Sequence, residues 1–377
     1  MTTITLPFSQ EALQDALQRH LSSPSLSVGD VVPSRMGGGA SGSPVYRLDV
    51  QYDSGHSAFV GDSKLSVVLK RGTQRAGAHL AGAARREASF YSTLASQLPV
   101  HTPRLLMTAD DITGEPTMPL VVGASSGIAK GWEQRTGDRD WVLMEALPQE
   151  GMWPRAFWTA EHYRAALSAL AEMHAKWWEH PPSTKDYPWV WMPTGAHTQA
   201  LLEDARAAML EIESAPWREK FFSVDELRAW RDVLDDPACL LDILSGIPQT
   251  LIHGDYWPGN IAMKPDGPAV FDWQQVGVGP AAYDLACFHS SSRWWFGRLP
   301  ISLVEMRNHY LACLNEHLGY RVDRYIFDMG MDAARAWRFA VLWPTTIVEQ
   351  RPHLLARLNY MRTTVIEPAY TSLRRIG

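Results

Sequence analysis

The sequence predicts an α+β chain in two lobes, a small β-rich lobe over residues 1–147 and a larger, mainly helical lobe over 148–377 that carries a β-island. Three observations lead there. The first part breaks into short β-branched or alternating stretches separated by glycine-rich or polar turns. After Pro148 the apolar residues recur at helical spacing, and residues 250–273 interrupt that pattern with short apolar runs joined by turns.

Taken in order, QEALQDALQRHL (residues 10–21) places apolar residues on one face behind Ser9, a suitable N-cap. Residues 31–36, 45–50 and 65–70 read as an antiparallel meander. The alanine-rich, proline-free run 76–98 reads as a helix that stops at Pro99. Two further strands are expected at 120–122 and 141–145, with a surface loop over 123–140 between them. In the second lobe, helices are expected at 160–179, 198–213, 224–244, 302–318, 327–343 and 357–375. The island TLIHGD, NIAMKPDG and AVFDW reads as strands, with Asp266 and Gly267 forming a hairpin turn.

Composition excludes several classes. A hydrophobic content of 46% with 20% charged residues over 377 positions is that of a globular chain with ample core, not of a disordered or fibrous one. Cys239, Cys287 and Cys313 are scattered and form no CxxC, so neither a disulfide framework nor a thiolate zinc site is expected, and a reducing cytoplasm is the expected compartment. With 35 basic against 41 acidic residues and no basic stripe, a nucleic acid polymer is not an expected partner. No run of about 18 apolar residues and no leader pattern is found, so no membrane association is expected. Oligomeric state stays open between monomer and homodimer. The 16 tryptophans are expected mostly in the core, with some free to line a pocket for a flat, apolar or cationic molecule.

The island carries the chemistry. His253, Asp255 and Asn260 stand at the H-x-D-x-x-x-x-N spacing of a kinase catalytic loop, and Asp272 follows at the end of a strand. Phosphoryl transfer accounts for each residue type. Asp255 can accept the proton of an attacking hydroxyl, while Asn260 and Asp272 offer hard oxygens to Mg2+, which keeps waters and binds phosphates. Each alone would be read as a turn-former or cap; the register of all four, followed by GPAAYDLA from Gly279, is what makes the signal.

HGDYWPGN, VFDWQ and GPAAYDLA together resemble the signature of the aminoglycoside phosphotransferase and choline kinase superfamily, which has a protein-kinase-like fold. SVVLKRG, REASFYSTLASQLPVHTPR and WVLMEAL extend the resemblance through roughly residues 36–290, and are similar to the ecdysteroid kinase-like branch. The resemblance implies an ATP- and Mg2+-dependent kinase acting on a hydroxyl of a small molecule, with nucleotide held between the lobes. The acceptor could be a sugar, aminoglycoside, amino alcohol, sterol or macrolide-like alcohol. It implies Asp255 as catalytic base, Asn260 and Asp272 as metal ligands, and His253 and Asp284 as supports of the catalytic loop.

Residues expected in the first lobe follow from that. Lys70 at the end of a strand and Glu87 on the next helix fit a lysine on the α- and β-phosphates oriented by a carboxylate; outside this setting they would be an ordinary ion pair. Gly37, Gly38, Gly39 and Ser41 lie in a G-x-G-x-x-G run. A dinucleotide fingerprint needs that turn to open a helix, whereas PVYRL, a strand, follows, so a phosphate-covering flap is expected instead. By resemblance to kinases, the Glu145 carbonyl and the Leu147 amide would meet the adenine edge, with Met144 beside the base and 141–147 as edge strand and linker; without it, WVLMEAL is a buried strand.

Two readings from other classes compete. Gly123, Ser125 and Gly127 match the G-x-S-x-G elbow of a serine hydrolase, but no helical pattern follows Ser125 and the βα alternation of that fold is missing. A nucleotide-binding pseudokinase without transfer activity would share the fold but not need the complete set of base, lysine and metal ligands. His174, on a helix without an HExxH partner, is expected to be a satisfied core histidine.

Overall fold

The computed structural model describes residues 2–36, 45–53, 63–72, 82–112, 118–122, 140–152 and 157–376. They fall into two compact units, one made of the described residues within 2–96 and 102–147, the other of 97–101 and the described residues within 148–376.

The first unit is built on a five-stranded antiparallel sheet. Its strands are β2 (Ser27–Arg35), β3 (Val45–Asp53), β4 (Ser63–Arg71), β5 (Leu105–Thr108) and β7 (Trp141–Glu145), in the order β2-β3-β4-β7-β5. Along β3 every second side chain is buried, Tyr46, Leu48 and Val50, so the alternation that predicts a strand also chooses its inner face. These residues pack with Val67, Leu69 and Leu143, and with Leu13 and Leu17 of helix α1 (Gln10–Leu21). Helix α1 begins as expected, with the Ala12 N–H donating to Ser9 Oγ at 3.2 Å.

Two strands of this unit escape the sequence reading. β1 (Thr2–Leu6) pairs antiparallel with β6 (Met118–Val122). β5 is only four residues long, too short for an alternation to register, yet it takes the sheet edge beside β7. The expectation that 141–147 forms the edge strand is therefore corrected: β7 is internal, paired with β4 and β5, and all of Trp141, Val142, Leu143 and Met144 are buried. The helix expected over 76–98 is α2 (Ala83–Thr93) in its described part and gives way to a 3-10 turn, Ala95–Gln97, ahead of Pro99. The hydroxyls of Ser92 and Thr93 donate back to the carbonyls of Ala88 and Ser89, a habit that weakens a helix end.

In the second unit the helices are α3 (Ala160–Lys176), α4 (Thr198–Ser214), α5 (Arg218–Phe221), α6 (Val224–Asp235), α7 (Ala238–Ser245), α8 (Ala281–Phe296), α9 (Leu303–Leu318), α10 (Arg324–Ala356), α11 (Leu358–Met361) and α12 (Glu367–Ile376). The single helix expected at 224–244 is two, because Pro237 has no N–H to continue the ladder. α10 instead runs through Pro344 and Pro352, well past the expected end at Trp343. Burial of Trp337, Phe339, Val341, Pro344 and Ile347 against neighbouring helices outweighs the roughly 3 kcal/mol that an internal proline costs. The last expected helix is interrupted by a π segment, Arg362–Ile366. α8 carries the GPAAYDLA motif but no helical signal, since a helix buried on nearly all sides shows no apolar period.

The island forms two small antiparallel pairs, β8 (Gln249–Ile252) with β11 (Gly277–Pro280) and β9 (Ile261–Lys264) with β10 (Gly267–Val270). The turn is one residue earlier than expected. Gly267 pairs with Lys264 as the first residue of β10, at φ 123°, so Pro265 and Asp266 make the turn. Among the described residues most tryptophans are core as expected, Trp191, Trp230, Trp273 and Trp337 being fully buried. The three cysteines are free, and among the described residues no helix is long and apolar enough to cross a membrane.

Candidate active site

The loop from β8 to β9 is held by one buried carboxylate. Asp284, in the first turn of α8, accepts the His253 N–H on Oδ2 at 2.6 Å and the Gly254 N–H on Oδ1 at 2.8 Å. Gly254 can sit there because it is glycine. Its φ is +82°, and a Cβ would lie 2.2 Å from the Gln275 carbonyl oxygen. Burial alone would raise the Asp284 pKa, but the hydrogen bond and charge of His174 and the His253 contacts outweigh it and hold the carboxyl below its ordinary value. The Nε2–H of His174 donates to Asp284 at 3.3 Å, and its Nδ1 pairs with the Tyr310 hydroxyl at 2.7 Å. His174 is thus a fully buried, satisfied core histidine, as expected, and also the residue that orients Asp284.

The same logic fixes His253. Its Nδ1 accepts the Asp255 N–H at 3.2 Å, which leaves Nε2 to donate to the Phe271 carbonyl at 3.0 Å. One imidazole therefore ties the backbone of Asp255 to the residue preceding Asp272. Asn260 makes the complementary tie. Its N–H donates to the Trp257 carbonyl and its carbonyl accepts the Phe271 N–H at 3.0 Å, while Nδ2 donates to the Asp255 carbonyl at 2.9 Å and to Asp255 Oδ2 at 3.0 Å. With both protons of the amide so used, the Asn260 Oδ1 is the atom left for a cation. Asp272 follows β10 in the left-handed region, at φ 65°.

Two residues at the loop carry no sequence signal. The Cys287 thiol lies 3.7 Å from Asp255 Oδ1; burial, with Asp255 and Asp284 nearby, pushes its pKa up to about 12, so it stays a donor. Arg338 donates to the Gly254 carbonyl at 2.7 Å and stacks 4.6 Å from the Tyr283 ring centroid. Nothing in the spacing of α8 or α10 distinguishes them from other helix residues.

In the first unit, Lys70 of β4 and Glu87 of α2 meet at 2.6 Å (Nζ to Oε2), with side chains only 10% and 1% exposed. Met144 and Leu147 are buried, and the Glu145 N–H donates to the Arg104 carbonyl at 2.9 Å, which ties the end of β7 to the start of β5. Gly37, Gly38, Gly39 and Ser41 lie outside the described residues. The strands on either side of them pair antiparallel, Arg35 opposite Tyr46, so the segment leads into a strand and not a helix. Ser125 also lies outside the described residues. The antiparallel sheet of this unit is unlike the parallel βα alternation on which a nucleophile elbow is built.

The model of the phosphotransferase enzyme family matches residues 50–322. The chain belongs to this phosphotransferase family. The family description covers its members generally and selects no branch. Among solved structures, an amicoumacin kinase in complex with AMP-PNP, Ca2+ and Ami is similar over 94% of this chain and 96% of its own, at 14% identity and a TM-score of 0.53. An ethanolamine kinase of Plasmodium vivax is similar over 94% and 84%, at 12% identity and a TM-score of 0.53. These likenesses establish the protein-kinase-like fold. A curated N-acetylmuramate/N-acetylglucosamine kinase of Pseudomonas putida is 38% identical over 48 residues, a stretch that spans 13% of this chain and 14% of that protein. The family is one of phosphotransferase enzymes.

Proposed function

We propose that this phosphotransferase moves the γ-phosphoryl group of ATP to a hydroxyl of a small molecule, with Asp255 as the catalytic base. The observation that carries the reading is the Asp255 carboxylate itself. Asn260 fixes Oδ2 at 3.0 Å, the Cys287 thiol faces Oδ1, and the Asp284 clamp fixes the backbone before it. A carboxylate so oriented can accept a proton from an incoming hydroxyl and aim its oxygen for in-line attack.

Asn260 Oδ1 and Asp272 are hard oxygen donors on two segments joined by the Phe271 N–H to Asn260 carbonyl bond. That suits Mg2+, which takes few protein ligands and completes its shell with water and phosphate oxygens. When bound there, Mg2+ neutralises charge on the phosphates. Lys70, oriented by Glu87, is the protein's own positive charge for the α- and β-phosphates, and Gly37, Gly38, Gly39 and Ser41 are proposed as the phosphate flap. The Glu145 carbonyl and Leu147 amide are proposed to receive the adenine edge beside Met144.

Asp255→Asn tests the reading. ADP release from Mg-ATP with an accepted substrate should fall by about 10³-fold, within the usual range for a general base, while nucleotide binding and the melting temperature stay close to wild type. Turnover at the wild-type rate in the folded variant would remove Asp255 from this role.

A further inference from the structure

The peptide that joins Gly254 to Asp255 is the last rigid unit before the base. Its atoms are coplanar, so any rotation of that plane carries the Asp255 Cα with it. The Asp284 clamp does not reach it, because the two N–H groups that Asp284 accepts belong to His253 and Gly254, on the peptides before. Two other bonds hold the plane, one on each side. His253 Nδ1 accepts its N–H, that of Asp255, at 3.2 Å, and Arg338 Nη1 of α10 donates to its carbonyl, that of Gly254, at 2.7 Å. The first comes from within the same turn, two residues away, and moves with it. The second comes from a helix 84 positions further along the chain and ties the plane to the packed part of the unit.

This peptide needs an external hold because glycine precedes it. A Cβ at Gly254 would lie 2.2 Å from the Gln275 carbonyl oxygen, so the turn excludes every other residue there. The absence of a Cβ also leaves the following peptide freer to rotate than after any other residue.

Arg338 is itself set in place. Its guanidinium stacks 4.6 Å from the ring centroid of Tyr283, which is fully buried and directly precedes Asp284, so the first turn of α8 orients both the clamp and the arginine. Burial alone would lower the guanidinium pKa, but Cys287, Tyr283, Asp255 and Asp284 around it outweigh burial and hold it above its ordinary value. A charged donor makes the stronger bond to a carbonyl. The same charge offsets Asp255 and Asp284, the two carboxylates that this turn brings together.

We propose that Arg338 is a positioning residue for phosphoryl transfer, which locks the peptide between Gly254 and Asp255 and so keeps the Asp255 carboxylate aimed at the acceptor hydroxyl. The inference rests on the phosphotransfer reading above.

The test uses the full chain and ADP release from Mg-ATP with water as the acceptor. Arg338→Met, assayed well below its melting temperature, should lose about 10²-fold in kcat with the ATP KM unchanged, the pattern of a group that aims the base without binding nucleotide. Hydrogen exchange read by mass spectrometry should quicken over residues 253–260. In Arg338→Ala, millimolar guanidinium chloride should restore part of kcat, and it should not do so in Asp255→Asn. Arg338→Lys, which decides the matter where Arg338→Met does not fold, should fall between wild type and Arg338→Met, because its ammonium stops short of the carbonyl. Wild-type turnover in a folded Arg338→Met or Arg338→Lys, or unchanged exchange over the loop, overturns the positioning role and leaves the phosphotransfer reading standing. A kcat that falls only in step with a rising ATP KM, and that neither guanidinium nor lysine improves, overturns it too, since a purely structural prop behaves that way. Equal ADP release by wild type and Asp255→Asn overturns the phosphotransfer reading itself, and the role of Arg338 with it.

Discussion

Asp284 grips the catalytic loop by its backbone, accepting the Gly254 N–H at 2.8 Å and, on its other oxygen, the His253 N–H at 2.6 Å. Because both acceptors are used, the isosteric change is not neutral. Asp284→Asn turns one oxygen into a donor facing an N–H in a fully buried site, and should cost about 3 kcal/mol in denaturant unfolding with a large loss of kcat. His174→Phe, which leaves the clamp but removes its orienting donor, should lower kcat less. Equal stability and kcat in Asp284→Asn and wild type would show that the clamp is dispensable.

Gly254→Ala probes the same loop through sterics. The left-handed φ of +82° and the 2.2 Å approach of a Cβ to the Gln275 carbonyl oxygen force the backbone to move. A stability loss of about 2 kcal/mol is expected, with kcat reduced and nucleotide affinity retained. A crystal structure of the variant with an unshifted loop would contradict this account.

Lys70 and Glu87 form a buried pair, so each single substitution removes an ion pair from a site shielded from water. Lys70→Met and Glu87→Gln should each destabilise by about 3 kcal/mol and raise the nucleotide Kd at least tenfold. Titration with a fluorescent ATP analogue reads the second effect. A folded Lys70→Met that binds nucleotide as wild type does would exclude Lys70 from the phosphate site.

Acid sensitivity should have two windows. His289 titrates at about 3 in the folded chain against 6.5 when unfolded, so between these values the unfolded state binds the extra proton and stability falls as pH drops, by at most about 1.4 kcal/mol per unit. His289→Gln should flatten the melting temperature against pH from 6.5 to 4. Asp284, whose carboxyl is held below 3.8, contributes stability that is present above that value and lost only as pH falls through its lower folded pKa. Parallel slopes for wild type and His289→Gln would remove the histidine from the first window.

How much was legible in advance depended on the range of the interaction. Helix α1 and its Ser9 cap, the β2-β3-β4 meander and the island strands β8, β9 and β10 follow from periods and turn residues within a few positions, whereas β11 does not. Short β5, the inward position of β7 and the buried α8 did not, because each is decided by neighbours distant in sequence. At the site, the spacing of His253, Asp255, Asn260 and Asp272 stood out because one loop supplies most of it. The contribution of Cys287 and Arg338 was invisible, since they reach that loop across 32 and 84 residues.

The sequence by itself determined the two-part α+β plan, the family and the residue types for phosphoryl transfer, because local hydrogen bonding and apolar period are written residue by residue. Only the tertiary structure decided which side chains hold Asp255 in place, Cys287 of α8 and Arg338 of α10 among them. Side chains far apart along the chain meet only when helices pack, and no spacing records that packing.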